Sequence, residues 1–396
     1  MRWSFRIARV FGISIYVHWT FALLILWVIY IHWSQASAAA AAQHRAGVPV
    51  TVDPFAQTVE GVLLVCAVFA CVVLHELGHS LAAKRYGIPT RDITLLPIGG
   101  VARLERMPEK PAEELVVAAA GPAVNVVIAA VLLAALIATG SLDFSLGLFQ
   151  AGGGFFSKLA WLNVVLVVFN LIPAFPMDGG RILRALLATS MDYTRATAIA
   201  AGVGQALAIV FGILGLFFNP FLLFIALFVF IGAQAEAHAA TRRAAVEGVP
   251  VREAMVRRFR VLVPDESVAA AIEEMRAGLQ TDFPVMDGGE VVGLVTRREL
   301  IEALAGGRGN ARVGEVMRRQ CLTVRDTEML ADVLPRMQAA GCTALVVVRN
   351  GDVVGLLTHE NIGEMMMINA AYQRARNHPG AYVQKPAGFP EGIDRA

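Results

Sequence analysis

Residues 59–83 read VEGVLLVCAVFACVVLHELGHSLAA. From Gly61 to Leu74 the run carries no charged side chain. A helix rises about 1.5 Å per residue and the hydrocarbon core of a bilayer is about 30 Å thick, so all of 59–83, about 37 Å as a helix, is long enough to cross a membrane. Its last turns hold His75-Glu76-Leu77-Gly78-His79. Positions i and i+4 of a helix share one face, one turn apart, so the two imidazoles can grip one zinc ion. Glu76 stands beside them, placed to accept a proton from a water activated by the metal. Ionisable groups in an apolar span are costly and by default functional. The blander reading is a chance match, or polar residues satisfying one another between spans.

Around this stretch the chain divides into two kinds of sequence. Of its 396 residues 56% are hydrophobic and 17% charged, against about 25% charged in a soluble domain. That excludes a disordered chain, a collagen-like rod and a disulfide scaffold. Residues 236–396 hold 41 of the 66 charged residues and residues 1–235 the other 25. The first part is expected to lie in a membrane and the second to be soluble. Six spans are predicted, near 14–34, 59–83, 115–139, 159–177, 199–217 and 219–235. The fourth is interrupted by Pro173 and Pro176, so its end is not regular helix. A membrane domain is expected at 1–240, soluble units at 246–309 and 310–371, and a mobile tail at 372–396.

Lysine and arginine assign the sides. Arg2, Arg6 and Arg9, then six residues between Lys84 and Lys110, then Arg181, Arg184 and Arg195 fall on one side; Arg45 and Lys158 fall on the other. The N-terminus, the 84–114 loop, the 181–198 stretch and the soluble part are therefore expected to face the cytoplasm, in a multi-pass protein of the cell membrane. With a net charge of +2 and no polybasic tract, no nucleic-acid partner is expected. The cysteines Cys66, Cys71, Cys321 and Cys342 form no CxxC pair and suggest no disulfide frame.

A catalytic zinc takes three protein ligands and keeps one position open. His75 and His79 lie near the cytoplasmic end of the second span. The fourth span also runs inward and ends in FNLIPAFPMDGGR, residues 169–181, so Asp178 reaches the same side. The prolines free backbone groups, which is tolerable at membrane depth only inside protein or beside water. Asp178 also reads as an N-cap for a helix at 181–189. In the third span, Gly121-Pro122-Ala123-Val124-Asn125 offers small residues for close helix approach. Asn125 and Asn170 can bond an unwound substrate backbone, fix the loop, or join helices. The stretch 87–104 reads as a β-hairpin at the membrane rim, divided by Pro97 and Gly99-Gly100; its edge could pair with an extended substrate or be a plain connection.

HELGH at the end of one span and FNLIPAFPMDGGRIL at another resemble the site-2 protease family of intramembrane zinc metalloproteases, in the branch with a C-terminal pair of CBS domains. The resemblance covers residues 1–370. It implies one Zn2+ held by His75, His79 and Asp178, with Glu76 as general base. It also implies hydrolysis of a peptide bond in the membrane-spanning helix of a single-span substrate, within the lipid bilayer.

The soluble part repeats itself. VREAMVRRFRVLVPDESVAAAIEEM from Val251 matches VGEVMRRQCLTVRDTEMLADVLPRM from Val313. Met255 pairs with Met317, Gly293 with Gly355 and Thr296 with Thr358, at one offset throughout. Neither unit need be stable alone. The repeats resemble CBS domains, α/β units that pack in pseudo-symmetric pairs and often take an adenine nucleotide. That would assign Thr296, Glu299, Thr358 and Asn361 to the nucleotide. Glu299 and Asn361 stand where the family usually has Asp, and the threonines can equally cap helices. A purely structural or homodimer-forming role is the other reading. The fold class expected is thus a multi-span helical membrane protein with a rim hairpin and a tandem CBS unit. A CBS-regulated transporter would scatter its ionisable residues, whereas here they gather at one depth; a non-cleaving relative would usually have lost Glu76 or a ligand.

Overall fold

The computed structural model describes residues 3–104, 108, 110–141, 154–278, 280–319 and 323–376. It divides into two compact units, Met1–Ala240 and Thr241–Ala396.

The first unit opens with two strands, β1 (Ser4–Val10) and β2 (Ile13–His18). Phe11 and Gly12 turn the chain between them at positive φ, 51° and 89°. Helices α1 (Thr20–Arg45) and α2 (Pro54–Arg85) follow, then β3 (Thr90–Leu96) and β4 (Gly99–Leu104). The rest is helical: α3 (Pro111–Ala138), α4 (Phe155–Asn170), α5 (Asp178–Leu187), α6 (Tyr193–Phe217) and α7 (Phe221–Val246). Among the described residues, five helices are long and apolar enough to cross a membrane: α1, α2, α3, α6 and α7.

Two expectations are corrected here. The first span starts at Thr20 rather than near residue 14, because residues 13–18 pair as a strand. The apolar alternation of ISIYVH runs straight into the span, and hydropathy alone merges the two. The fourth expected span is a helix of 16 residues, about 24 Å long at 1.5 Å per residue and short of a bilayer core. The chain then leaves helical geometry at 171–177, where the prolines lie.

The hairpin expected at 87–104 is β3 and β4, joined by two more strands in the order β1-β2-β3-β4. β2 runs parallel to β3, with Ile15 opposite Ile93, and the outer pairs are antiparallel. Ile13 and Ile93 pack with Leu77 of α2, so the sheet sits against the helix that carries HELGH. α2 is well delimited. Asp53 caps it by accepting from the Phe55 N–H at 2.9 Å, and Pro54 opens its first turn.

The second unit holds α8 (Val251–Ala254), α9 (Val268–Ala277), β5 (Phe283–Asp287), β6 (Glu290–Val295), α10 (Arg297–Ala305), α11 (Val313–Val316), β7 (Thr323–Arg325), α12 (Leu330–Ala339), β8 (Ala344–Arg349), β9 (Asp352–Thr358) and α13 (His359–Arg376). The residues matched in the sequence repeat meet crosswise. A Cβ on Gly293 would lie 2.6 Å from the Met317 sulfur, and one on Gly355 would lie 2.6 Å from the Met255 sulfur. Val256 bridges Leu356 while Arg318 bridges Leu294. Each repeat thus fills a gap in the other's sheet, which is why neither half closes its own core. α13 continues to Arg376, into the stretch expected as tail; 377–396 lies outside the described residues.

Candidate metal centre

Three helices meet where α2 ends. On α2, His75 and His79 project from one face and are buried. Asp178, the first residue of α5, is buried with them. Each imidazole Nε2 lies 3.1 Å from Asp178 Oδ2, and the two Nε2 atoms lie 3.1 Å apart. Among the described residues this is one group of three side chains able to hold a metal ion.

The other ring nitrogens decide what the three atoms can do. His79 Nδ1 lies 2.7 Å from the Val117 carbonyl, which can only accept, so Nδ1 carries the proton. Val117 lies in the turn of α3 that Pro122 disturbs. His75 Nδ1 lies 2.6 Å from Asn125 Oδ1, again an acceptor. With Nδ1 engaged in this way, each ring has Nε2 left to offer a metal, and both Nε2 atoms face the same carboxylate oxygen. Three potential ligand atoms at this spacing suit one shared cation. Zinc bonded at about 2.05 Å in a tetrahedron would hold its ligand atoms about 3.3 Å apart, close to the spacing here. Gly121 keeps the space clear: a Cβ there would lie 2.7 Å from His75 Nε2 and closer still to His79 Nε2. The residues fit the ion.

Glu76 points to the next face of α2, towards β4. Its Oε2 accepts from the Ala102 N–H at 3.2 Å, and Gly100 leaves room for its stem, since a Cβ would stand 2.9 Å from Glu76 Cγ. A cavity of about 600 Å³ opens over the site, walled by Glu76, Gly100, Asn170, Asp178, Arg181 and Phe228 among others. The middle of the loop 171–177 that delivers Asp178 is packed in protein: Ala174 and Phe175 are fully buried against α6 and α7, while Leu171 and Pro173 are exposed. The irregular backbone next to Asp178 is thereby enclosed by protein.

With this geometry in view, the chain was compared with known proteins. Its residues 63–151 and 148–211 match peptidase family M50, and 251–306 and 313–365 match the CBS domain. A zinc metalloprotease of Methanocaldococcus jannaschii is 32% identical over 374 residues, 93% of this chain and 97% of that protein. The chain belongs to peptidase family M50. Rip3 of Mycobacterium tuberculosis is 29% identical across 96% of each chain. The solved site-2 protease from M. jannaschii is 38% identical, with a TM-score of 0.40, covering 59% of this chain and 95% of its own. This M50 chain is a zinc metalloendopeptidase of the site-2 type, a multi-pass membrane protein with a CBS pair.

The other expected residues of this M50 chain are each engaged with protein partners. Asn125 is fully buried, its oxygen on His75 and its amide nitrogen 2.8 Å from Asn163 Oδ1. It is engaged with the imidazole and also borders the cavity over the site. Asn170 does line the cavity, and its Nδ2 donates to the Leu166 carbonyl one turn back at 2.9 Å. In the CBS pair, Thr296 and Glu299 form a capping box at the start of α10, and Glu299 Oε1 also accepts from Arg318 Nε at 2.7 Å. Thr358 Oγ accepts from the Asn361 N–H at 3.2 Å and bonds Asn361 Oδ1 at 2.5 Å. These four side chains are engaged in shaping helix starts.

Several residues of the site carry no sequence signal of their own. The Val117 carbonyl and the Ala102 N–H are backbone groups. Arg184, buried in α5, pairs with Glu114 of α3 at 2.5 Å and with Glu236 of α7 at 3.2 Å. Asn163 had a weak signal: an amide inside an apolar run is costly unless it is bonded.

Proposed function

We propose that this chain hydrolyses a peptide bond within or near the membrane-spanning helix of a single-span membrane protein. In this reading His75, His79 and Asp178 hold one zinc ion, and Glu76 is the general base. The observation that carries it is the convergence of two imidazole Nε2 atoms and one carboxylate oxygen around space that Gly121 leaves free. When bound, zinc supplies Lewis acidity, lowering the pKa of water and polarising the scissile carbonyl. Glu76 takes the proton of the attacking water and returns it to the departing amide nitrogen. Its tie to the Ala102 N–H holds the carboxylate at the cavity wall beside β4. Asn170 on the same wall is placed to meet the unwound backbone of a substrate.

The cytoplasmic orientation is supported by the sheet. Strand pairing from β1 to β4 gathers Arg6, Arg9, Arg91 and Arg103 into one body, which lies beside the end of α2 that carries the histidines. Adenine-nucleotide control rests on the resemblance of the repeats; equilibrium binding of ATP and AMP to the full chain checks it.

The test uses the full-length protein in detergent. Glu76→Gln should keep its zinc and lose cleavage by about 10²–10⁴-fold, the usual contribution of a positioned base. His79→Ala should lose the metal. Glu76→Gln cutting at the normal rate would remove Glu76 from its role. Asp178→Ala with undiminished zinc affinity would move the third ligand elsewhere. Membrane proteins retained by Glu76→Gln would give the substrate class.

A further inference from the structure

We infer that Asn163 is a positioning residue for the metal centre: acting through Asn125, it settles which nitrogen of His75 carries the proton and leaves Nε2 bare for the ion. The inference rests on the zinc reading given above.

Asn163 lies in α4 and is fully buried. Its Nδ2 donates to the Leu159 carbonyl at 2.9 Å and lies 3.4 Å from the Cys71 sulfur. A main-chain carbonyl only accepts, so this contact orients the amide, with nitrogen towards Leu159 and oxygen towards Asn125. Asn125 must then turn its own nitrogen to Asn163, at 2.8 Å, and its oxygen to His75, at 2.6 Å. That oxygen only accepts, so the His75 proton is held on Nδ1. A choice made at a backbone carbonyl of α4 thus passes through two amides to an imidazole of α2.

Without Asn163 the choice is open. Asn125 could rotate and offer its amino group to His75 Nδ1. The proton would then move to Nε2, which already lies 3.1 Å from Asp178 Oδ2 and would donate to it. One end of the Asn125 amide lacks a partner in either orientation, so the bond to Asp178 favours the flipped state, and that state blocks the ion. The competing state is therefore a closed hydrogen-bonded one, and zinc would have to reverse an amide to enter. His79 needs no such relay, since a backbone carbonyl fixes its Nδ1 directly. Partners of this kind, one bond removed from the ligands, typically change metal affinity by about 10–100-fold when lost.

A role in simply joining α3 to α4 would also be lost with either partner, so a double-mutant cycle is read together with the ring-nitrogen NMR shifts of His75 in the zinc-free protein: the proton should move from Nδ1 to Nε2 in Asn163→Leu, and a proton that stays on Nδ1 overturns the inference. Zinc affinity of the full-length protein is measured by competition with a chelator for wild type, Asn163→Leu, Asn125→Leu and the double variant. Asn163→Leu should weaken zinc about 10–100-fold. In the Asn125→Leu background, removing Asn163 should cost nothing further, because the relay is already cut. Unchanged affinity in Asn163→Leu overturns the inference, and so does an equal loss in both backgrounds. Should Asn163→Leu fail to fold, Asn163→Ser replaces it. Its hydroxyl can bond the Leu159 carbonyl but is too short to reach Asn125, so the same loss is expected, and full affinity would overturn the relay. A wild-type chain that takes up no zinc would sink the metal centre itself, a result distinct from failure of the relay alone.

Discussion

Gly121 is the residue on which the site's geometry can be checked most directly. It sits mid-helix in α3, where alanine would normally favour the helix by about 1 kcal/mol. A methyl group there would fall among the ligand atoms, 2.7 Å from His75 Nε2. Gly121→Ala should therefore fold and lose its zinc, which metal analysis of the purified protein would show. Retention of a full equivalent of zinc would mean that the ligands meet elsewhere. Gly78 makes a useful contrast. A Cβ there meets the Ala120 carbonyl at 2.8 Å, so its smallness serves the approach of α2 to α3. At this scale the sequence is legible where a side chain carries its own chemistry. His75, Glu76, His79 and Asp178 announce themselves by type and spacing. The Val117 carbonyl does not, and Asn163 does so only weakly, because their roles depend on what the fold sets opposite them.

The next scale is that of α5, the short helix that brings Asp178 to the histidines. Asp178 begins it and Arg184, further along, anchors it. The Arg184 guanidinium bonds Glu114 of α3 at 2.5 Å and Glu236 of α7 at 3.2 Å, and stands over the rings of Phe175 and Tyr193 at 5.0 and 4.8 Å. Removing one partner of such a buried pair leaves an uncompensated charge and costs about 3–5 kcal/mol. Glu114→Ala should fall toward the lower end of that range, because Glu236 still reaches Arg184. Thermal unfolding followed by tryptophan fluorescence would show it, since all five tryptophans lie between Trp3 and Trp161. An unchanged transition would mean that this network does not hold α5. Whole elements were legible unevenly. The long spans were plain from hydropathy, and the prolines at 173 and 176 marked where α4 must stop. β2 was hidden because its apolar residues run straight into the first span, and β1, with Arg6 and Arg9, has little apolar signal of its own. Only the pairing of β2 with β3, separated by two helices, reveals the sheet.

Across the molecule, the soluble half was legible as a repeat because matching residues recur at one offset, and the structure shows those residues exchanged between the halves. What the repeat could not reveal is how Glu299 is used. Burial pushes its carboxyl up, but hydrogen bonds from Thr296 and Arg318 more than offset this and hold it below its ordinary value of 4.5. The folded state therefore prefers the carboxylate. This contribution to stability is complete above the ordinary value and fades as pH falls through the lowered one. Glu328 behaves in the same way: burial is outweighed by the Arg325 N–H and Arg336. Asp282 opposes them, since burial raises it above its ordinary 3.8 and acid relieves the cost. Glu299→Gln isolates the first effect. Glutamine still completes the capping box but gives up the charge facing Arg318. After allowance for partial exposure, the loss at neutral pH should be about 1 kcal/mol, roughly fivefold in protection. Hydrogen exchange of residues 283–305, compared between wild type and variant at the same pH, reads it without interference from the membrane half. The gap should close as pH is lowered through the folded value of Glu299. A gap that persists unchanged into acid would assign the effect to the shape of the side chain and not to its charge.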